Sequence, residues 1–239
     1  MSTPRALRQP TRLLLHRTSP PLPLSAPRRA FITLPSTSTP QLLTAHRTLP
    51  YNHARLYDLI ADVDSYAGFL PYCQTSRVTA WGAPDAAGRR WPTRGDLTAG
   101  WGGFTESYSS RLFCVPARGV VEAISGAEGR SEFSDAELAR YGLSDPGAGL
   151  GSGGGGGGGV FTSLVTRWTV VPAEDATRED RFQHDWSDVR LSIKYRFANP
   201  LYGAVSAAVA DKVAPVMVEA FVQQARRILG EPGQERGGL

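Results

Sequence analysis

The sequence contains 22 carboxylates and four imidazoles, of which few stand out as groups that could transfer protons to a ligand inside a cavity. Asp62, Asp64, Glu106 and His184 are the notable candidates. General acid–base catalysis needs such groups within reach of one substrate, and these four come from three separate segments with no Ser-His-Asp set beside them. The pattern therefore favours a protein that is not an enzyme, with an enzyme that works inside a cavity kept as the alternative.

Metal ligands and phosphate-binding loops are equally sparse. The chain has two cysteines, Cys73 and Cys114, and four scattered histidines, whereas a metal site needs such ligands at close spacing. Seven consecutive glycines at 153–159 lead into Val160 and Phe161, not into the Gly-Lys-Ser/Thr of a phosphate-binding loop. We therefore predict no metal and no cofactor.

Charge is distributed unevenly along the chain. The formal net charge is +4, yet residues 1–50 contain seven arginines and no acidic residue, so the remainder carries −3. A mildly acidic folded part does not favour nucleic-acid binding through bulk charge.

Residues 1–40 have the composition of a mitochondrial transit peptide followed by a disordered linker. They are rich in Arg, Ser, Thr and Pro, lack Asp and Glu, and include "RALRQPTRLLLHR", which is typical of such a leader. A disordered basic tail is the alternative. No apolar run approaches the ~18 residues that a membrane-spanning helix requires. We therefore expect a mitochondrial protein that is soluble or lies on a membrane surface.

Hydrophobic spacing predicts the elements that must position these residues. "QLLTAHRTL" at 41–49 predicts a strand, and "YNHARLYDLIADV" predicts a helix capped by Asn52, followed by a second short helix that Gly68 stops. About six strands follow, of which "SDVRLSIKYRF" alternates most clearly. One apolar and one polar face per strand predicts an antiparallel sheet.

Residues 125–159 interrupt the strands and end in the glycine run. Seven consecutive glycines cannot offset their own ordering entropy. We therefore predict a flexible insertion over 125–159, and a disordered tail over 231–239.

Residues 200–230 predict one long helix. Asn199 would cap it, Pro200 would take its first position and Gly230 would end it. This helix is the largest apolar element available to cover the sheet. A bent sheet wrapped around a helix leaves a space between them, and such spaces hold ligands.

Several segments, in this order, resemble the mitochondrial coenzyme Q-binding proteins. They are "LYDLIADVDSYAGFLPYCQTSRV", "GDLTAGWGGFTESYSSRLFCVP", "LVTRWTVVP" and "YRFANPLYGAVSAAVADKVAPVMVEAF". The resemblance covers a domain over 41–230, apart from the insertion. It implies an α+β helix-grip (START-like) fold, with a curved antiparallel sheet of about six to seven strands wrapped around the long C-terminal helix.

The resemblance also implies a function. The chain would bind ubiquinone in a hydrophobic cavity and act as a lipid carrier that supports respiratory electron transport and ubiquinone biosynthesis. Its place would be the matrix side of the inner mitochondrial membrane. Expected partners are ubiquinone, the membrane surface, and respiratory complexes or quinone-biosynthesis enzymes, with no nucleic acid.

Ligand-binding residues are expected at the cavity mouth and on its walls. The candidates for the mouth form a corner between helix and strand, the mouth corner: Phe69, Leu70, Pro71 and Tyr72. The candidates for the walls are Trp101, Phe104, Tyr108, Leu112, Trp168, Ile193, Tyr195, Phe197, Val213, Met217 and Phe221. Each of these residues equally suits an ordinary packed core.

Three alternatives stay open. Glu106 lies on an apolar strand face, where it would form an ion pair, line a wet part of the cavity or meet the ring oxygens. The chain could instead be an enzyme of the cyclase or dehydratase type that acts on a quinone precursor. It could also be a ribosome-associated translation inhibitor, as the resemblance to bacterial relatives implies.

Overall fold

Seven strands form one antiparallel sheet in a computed structural model that describes residues 40–101, 104–144, 160–173, 186–198 and 200–231. The strands are β1 (Gln41–Leu49), β2 (Cys73–Trp81), β3 (Pro92–Trp101), β4 (Phe104–Val115), β5 (Val120–Ser125), β6 (Phe161–Pro172) and β7 (Ser187–Phe197). Their order across the sheet is β1-β7-β6-β5-β4-β3-β2. The predicted antiparallel sheet of six to seven strands is confirmed.

Alternation along β7 fixes the two faces of the sheet. Val189, Leu191 and Ile193 are buried, whereas Arg190 and Lys194 between them are exposed. Period-two alternation of this kind is what a sheet with one packed and one solvated face requires. The face that carries Val189, Leu191 and Ile193 is the concave one.

Two helical segments cover part of the concave face. Helix α1 (His53–Ala61) begins at Asn52, whose side-chain oxygen accepts a hydrogen bond from the Ala54 N–H at 2.9 Å, as predicted. It buries Leu56, Tyr57 and Ile60. A 3-10 helix (Val63–Gly68) follows directly, and the mouth corner comes after it.

The long C-terminal helix spans Pro200–Leu229, and we label it α3 in chain order. It buries Ala214, Val218, Phe221, Val222 and Ala225, which share one face. The helix ends at Gly230, whose φ of +86° suits glycine. The predicted cap, Asn199, lies outside the described residues.

The other face of the sheet carries a second, smaller layer, which corrects the prediction of a flexible insertion for its described part, residues 125–144. Asp135–Arg140 forms helix α2, with Ser134 and Glu137 in a capping box. Phe133 and Leu138 are buried against β4, β5 and β6. The glycines of 153–159 do not determine the structure of the residues before them, because "SDAE" at 134–137 is itself a helix-start signal. Residues 145–159, including the glycines, lie outside the described residues.

Candidate ligand cavity

A cavity lies between the concave face of the sheet and the 3-10 helix Val63–Gly68. It encloses about 50 Å³, which is room for a few water molecules. Its lining is contributed by the 3-10 helix and by β3 to β6: Val63, Tyr66, Gly95, Asp96, Leu97, Ser110, Leu112, Val121, Ala123, Thr166 and Trp168. The lining is therefore mostly apolar, with a few hydroxyl groups.

Small side chains on adjacent strands create this space. Leu112 lies opposite Ala123, and Ala123 lies opposite Thr166, so these residues form a row across β4, β5 and β6. Gly95 and Ser110 are a cross-strand pair between β3 and β4. Because Ala and Ser rise little above the backbone, the 3-10 helix does not fill the space above them. Gly95 instead allows a close approach, since a Cβ there would lie 3.4 Å from Leu112 and 3.7 Å from Val63.

Two hydrogen bonds tie the 3-10 helix to the edge strand β2. The Ser76 hydroxyl donates to the Val63 carbonyl oxygen at 2.6 Å, and the Val78 N–H donates to the Asp64 carboxylate at 2.6 Å. Tyr66 also donates its hydroxyl to the Ile60 carbonyl. The cover of the cavity is thus a single short element held at few points.

Three interior tyrosines stay neutral beside this space. Burial is the largest cause that raises the pKa of Tyr57, Tyr66 and Tyr108 above the usual value for a phenol. Burial also raises the pKa of the Cys114 thiol to about 12. The interior therefore favours uncharged groups.

The acid–base candidates are not brought together at the cavity. Asp64 accepts the Val78 N–H, and Glu106 accepts the Val160 N–H at 3.1 Å. Neither these two nor Asp62 belongs to the lining, and His184 lies outside the described residues. Asp96 is the one carboxylate in the lining, and its side chain accepts a hydrogen bond from the Ser109 hydroxyl at 2.6 Å.

The mouth corner has mixed burial. Leu70 is buried, and its N–H bonds to the Tyr66 carbonyl oxygen at 2.8 Å. Phe69 and Pro71 are half-buried, and Phe69 packs edge-on against the Tyr66 ring with 5.7 Å between centroids. Tyr72 is exposed at 39% and has a φ of +67°. Tyr72 is thus the residue of the corner that faces solvent most.

The predicted wall residues divide into a lining set and a packed set. Leu112 and Trp168 line the cavity. Trp168 also touches Phe221 of α3, with 5.3 Å between ring centroids. The packed set is buried or half-buried in the core around them: Tyr108, Ile193, Tyr195, Phe197, Val213, Met217 and Phe221. The side chains of Trp101 and Phe104 lie outside the described part of the structure, so their assignment stays a prediction.

Sequence reasoning did not identify much of the lining. Val63 and Tyr66 come from the 3-10 helix, and Ser110 and Thr166 were visible only as members of strand faces. A hydroxyl residue in an otherwise apolar alternation is the signal that would have found the last two. No sequence signal marks Gly95 as lining, because a glycine within a strand equally indicates a bulge or a tight bend.

A buried ion pair lies on the opposite face, beneath α2. The Glu122 carboxylate is fully buried and accepts hydrogen bonds from the Arg167 guanidinium at 3.0 Å, from the Glu132 N–H at 3.1 Å and from Ser131. Arg167 also stacks over the Phe133 ring at 4.2 Å. Burial raises the pKa of Glu122, and the bonds from Ser131, Glu132 and Arg167 offset part of that rise. This cluster ties the second layer to the sheet and is separate from the cavity.

Comparison with known proteins assigns the family. The chain matches the family model for polyketide cyclase/dehydrase and lipid transport over residues 49–130 and 157–222. It is 30% identical over 182 residues to the mitochondrial coenzyme Q-binding protein coq10 of Schizosaccharomyces pombe, a match that covers 76% of this chain and 85% of that protein. The chain belongs to the coenzyme Q-binding proteins of this family.

A vertebrate member of the family is also similar. The coenzyme Q-binding protein COQ10 homolog B of Xenopus laevis, a mitochondrial protein, is 23% identical over 184 residues, covering 77% of this chain and 57% of that protein. The predicted resemblance to coenzyme Q-binding proteins is confirmed.

Solved structures share the fold at low sequence identity. The Zhui aromatase/cyclase of Streptomyces sp. R1128 has a TM-score of 0.55 at 13% identity, over 84% of this chain and all of that one. A START superfamily protein of Mycobacterium smegmatis has a TM-score of 0.52 at 12% identity, over 78% of this chain and 98% of that one. The helix-grip fold is therefore confirmed, and it is a fold that enzymes also use.

The described residues contain neither a candidate membrane-spanning helix nor a cluster of metal ligands. No helix there is both long enough and apolar enough to cross a bilayer. No three His, Cys, Asp or Glu side chains there converge as a metal site would require.

Proposed function

We propose that this chain binds ubiquinone in the cavity and carries it without converting it chemically. The observation that carries the proposal is a mostly apolar cavity beneath a short helical cover, in a chain 30% identical to a protein named as coenzyme Q-binding. We further propose that it works as a peripheral protein on the matrix side of the inner mitochondrial membrane. There it would support respiratory electron transport and ubiquinone biosynthesis.

The physical need for such a carrier follows from the isoprenoid tail. At ~0.8 kcal/mol per buried methylene-sized group, one five-carbon unit gains about 3 to 4 kcal/mol on leaving water. A protein that moves the molecule must offer comparable apolar surface. The lining residues Leu97, Leu112, Val121 and Trp168 are of the type required.

Uptake of the ring requires the cavity to expand. Its volume of about 50 Å³ is below the ~300 to 1,000 Å³ of typical ligand pockets. We propose that the 3-10 helix Val63–Gly68 moves away from the sheet, because only a few hydrogen bonds tie it to β2. The mouth corner, which follows this helix directly, would move with it and form the entrance.

Catalysis is the weaker interpretation. A cavity enzyme of the cyclase type needs an acid and a base that face its substrate. Asp96, the one acidic residue of the lining, is exposed and accepts a hydrogen bond from Ser109, and the hydroxyl of the lining tyrosine, Tyr66, donates to the Ile60 carbonyl. These contacts support a role in binding without turnover.

Lipid mass spectrometry of the purified protein tests this proposal. The folded chain, expressed in cells that make ubiquinone, is extracted with organic solvent, and ubiquinone is counted per mole of protein against a mock purification. We expect intact ubiquinone well above the mock. A folded protein that carries none after exposure to ubiquinone-containing vesicles, or one that converts a quinone precursor, refutes the proposal.

A further inference from the structure

Three hydroxyl side chains lie on the concave face, and we call them the hydroxyl strip: Ser110 on β4, Ser125 on β5 and Thr166 on β6. Thr166 lies opposite Ala123, two residues along β5 from Ser125. Ser110 and Thr166 line the cavity. Ser110 and Ser125 are both buried, and their hydroxyl oxygens are 2.7 Å apart. The surrounding lining is apolar, so the strip is the polar part of this wall.

The strip retains unused hydrogen-bonding capacity. Each hydroxyl has one donor and two acceptor positions, and the bond between Ser110 and Ser125 uses only one of their two protons. Among the described residues, the Thr166 hydroxyl has no hydrogen-bond partner. Polar groups that are covered without a partner cost free energy. A purely hydrocarbon occupant would cover the half-buried Thr166 hydroxyl without satisfying it, whereas an oxygen-bearing occupant would supply a partner.

Only one end of the quinone can form hydrogen bonds with the hydroxyl strip. The ring carries carbonyl and methoxy oxygens, all of which accept hydrogen bonds, while the isoprenoid tail can neither donate nor accept. We propose that the hydroxyl strip binds the ring oxygens and so orients the molecule with its ring inward and its tail towards the entrance. This inference rests on the proposed function, because it names which part of the ligand this wall holds.

A second consequence concerns the redox state of the ligand. The reduced form, ubiquinol, presents two O–H donors in place of the two carbonyl acceptors. Serine and threonine hydroxyls both donate and accept, whereas lysine or arginine could only donate. The strip therefore satisfies either form, and the carrier accepts both the oxidised and the reduced ring.

The test is a triple variant, Ser110→Ala, Ser125→Ala and Thr166→Val, which keeps the shape of the wall and removes its hydroxyls. The matched control is the double variant Thr98→Val and Ser107→Ala, which removes a hydroxyl pair 2.8 Å apart on exposed positions. Binding is measured by tryptophan fluorescence with three probes: ubiquinone with one isoprene unit, its quinol, and an isoprenoid hydrocarbon without a ring.

We expect the triple variant to bind quinone and quinol about threefold to tenfold more weakly, the value of one or two net hydrogen bonds. Binding of the hydrocarbon should not change, and neither should any affinity in the control. The melting temperature of the triple variant should stay unchanged or rise, because both partners of the Ser110–Ser125 hydrogen bond are replaced together.

Each outcome decides one question. Unchanged quinone affinity in the folded triple variant overturns the hydroxyl strip, and so does an equal loss for the hydrocarbon. A loss for the quinone alone, or an unmodified chain that does not bind quinol, overturns the claim that the strip satisfies both redox forms. If the unmodified chain binds neither quinone nor quinol, the proposed function itself fails.

Discussion

Filling the cavity should raise stability and reduce ubiquinone binding together. Ala123 is half-buried on β5 and lines the cavity, and Ala123→Val adds two methyl-sized groups. Each takes up roughly the volume of one water molecule, so the two fill a substantial part of a cavity that has room for a few water molecules. A β-branched side chain also suits a strand.

The expected gain follows from apolar burial. At ~0.8 kcal/mol per methylene-sized group, the free energy of unfolding should rise by up to about 1.6 kcal/mol. Urea unfolding measures this change, and lipid mass spectrometry measures ubiquinone per mole of protein in the same preparation. We expect ubiquinone content to fall because the ring must compete for the filled space.

The control for this experiment is Ala86→Val, at an exposed position in the connection between β2 and β3. It should change neither stability nor ubiquinone content appreciably. A stable Ala123→Val protein with undiminished ubiquinone would refute the assignment of the ring to this cavity. A loss of stability of about 1 to 3 kcal/mol, the usual cost of overpacking, would refute the presence of free space at Ala123.

Three further predictions concern the scaffold. Gly119→Ala should lower the free energy of unfolding by more than about 2 kcal/mol in urea unfolding, because φ is +61° and the added Cβ would lie 1.8 Å from a β6 carbonyl oxygen. The control Gly142→Ala has a similar φ of +66° but nothing within 4 Å. It should lower the free energy of unfolding by only about 1 kcal/mol. Arg167→Met should lower the free energy of unfolding by about 3 to 5 kcal/mol, because it leaves the Glu122 carboxylate buried without its cation. The double variant Arg167→Met and Glu122→Gln should lose less, because it no longer buries an unpaired charge. Stability should fall as pH rises from about 8.5, the ordinary pKa of a thiol, towards the pKa of about 12 for buried Cys114. The reason is that the unfolded state releases the thiol proton first; Cys114→Ser should flatten this slope in urea unfolding measured across that range, and an unchanged slope would contradict the assignment.

Most of the fold could be predicted from the hydrophobic alternation of the strands and from the residues that begin and end the helices. The alternation of Val189, Leu191 and Ile193 against Arg190 and Lys194 predicted the two faces of β7, since a half-buried strand allows no other arrangement. Order across the sheet does not follow from such local signals. The pairing of β1 with β7, from Gln41 opposite Tyr195 to Leu49 opposite Ser187, joins segments far apart in the chain.

The cavity could not be located from the sequence, for a physical reason. A lined cavity and a packed core use the same side chains, so alternation assigns Leu112, Trp168 and Ile193 to one face without showing where that face is covered closely. Whether a face is packed or leaves a cavity depends on how far the neighbouring side chains extend from the sheet. The small side chain of Ala123 leaves space under the 3-10 helix, whereas Ile193 lies in the buried core.

Neighbouring residues of the mouth corner differ in burial, and this difference suits them to different roles. A buried Leu70 anchors the turn, since its apolar side chain and its bond to the Tyr66 carbonyl both hold the corner to the 3-10 helix. Tyr72, exposed and at positive φ, presents an aromatic ring with a polar tip to the surroundings, a combination suited to a membrane interface. The anchor and the exposed ring are only two residues apart. If the cover moves outward as proposed, the exposed Tyr72 ring and the cavity entrance would come to the same place.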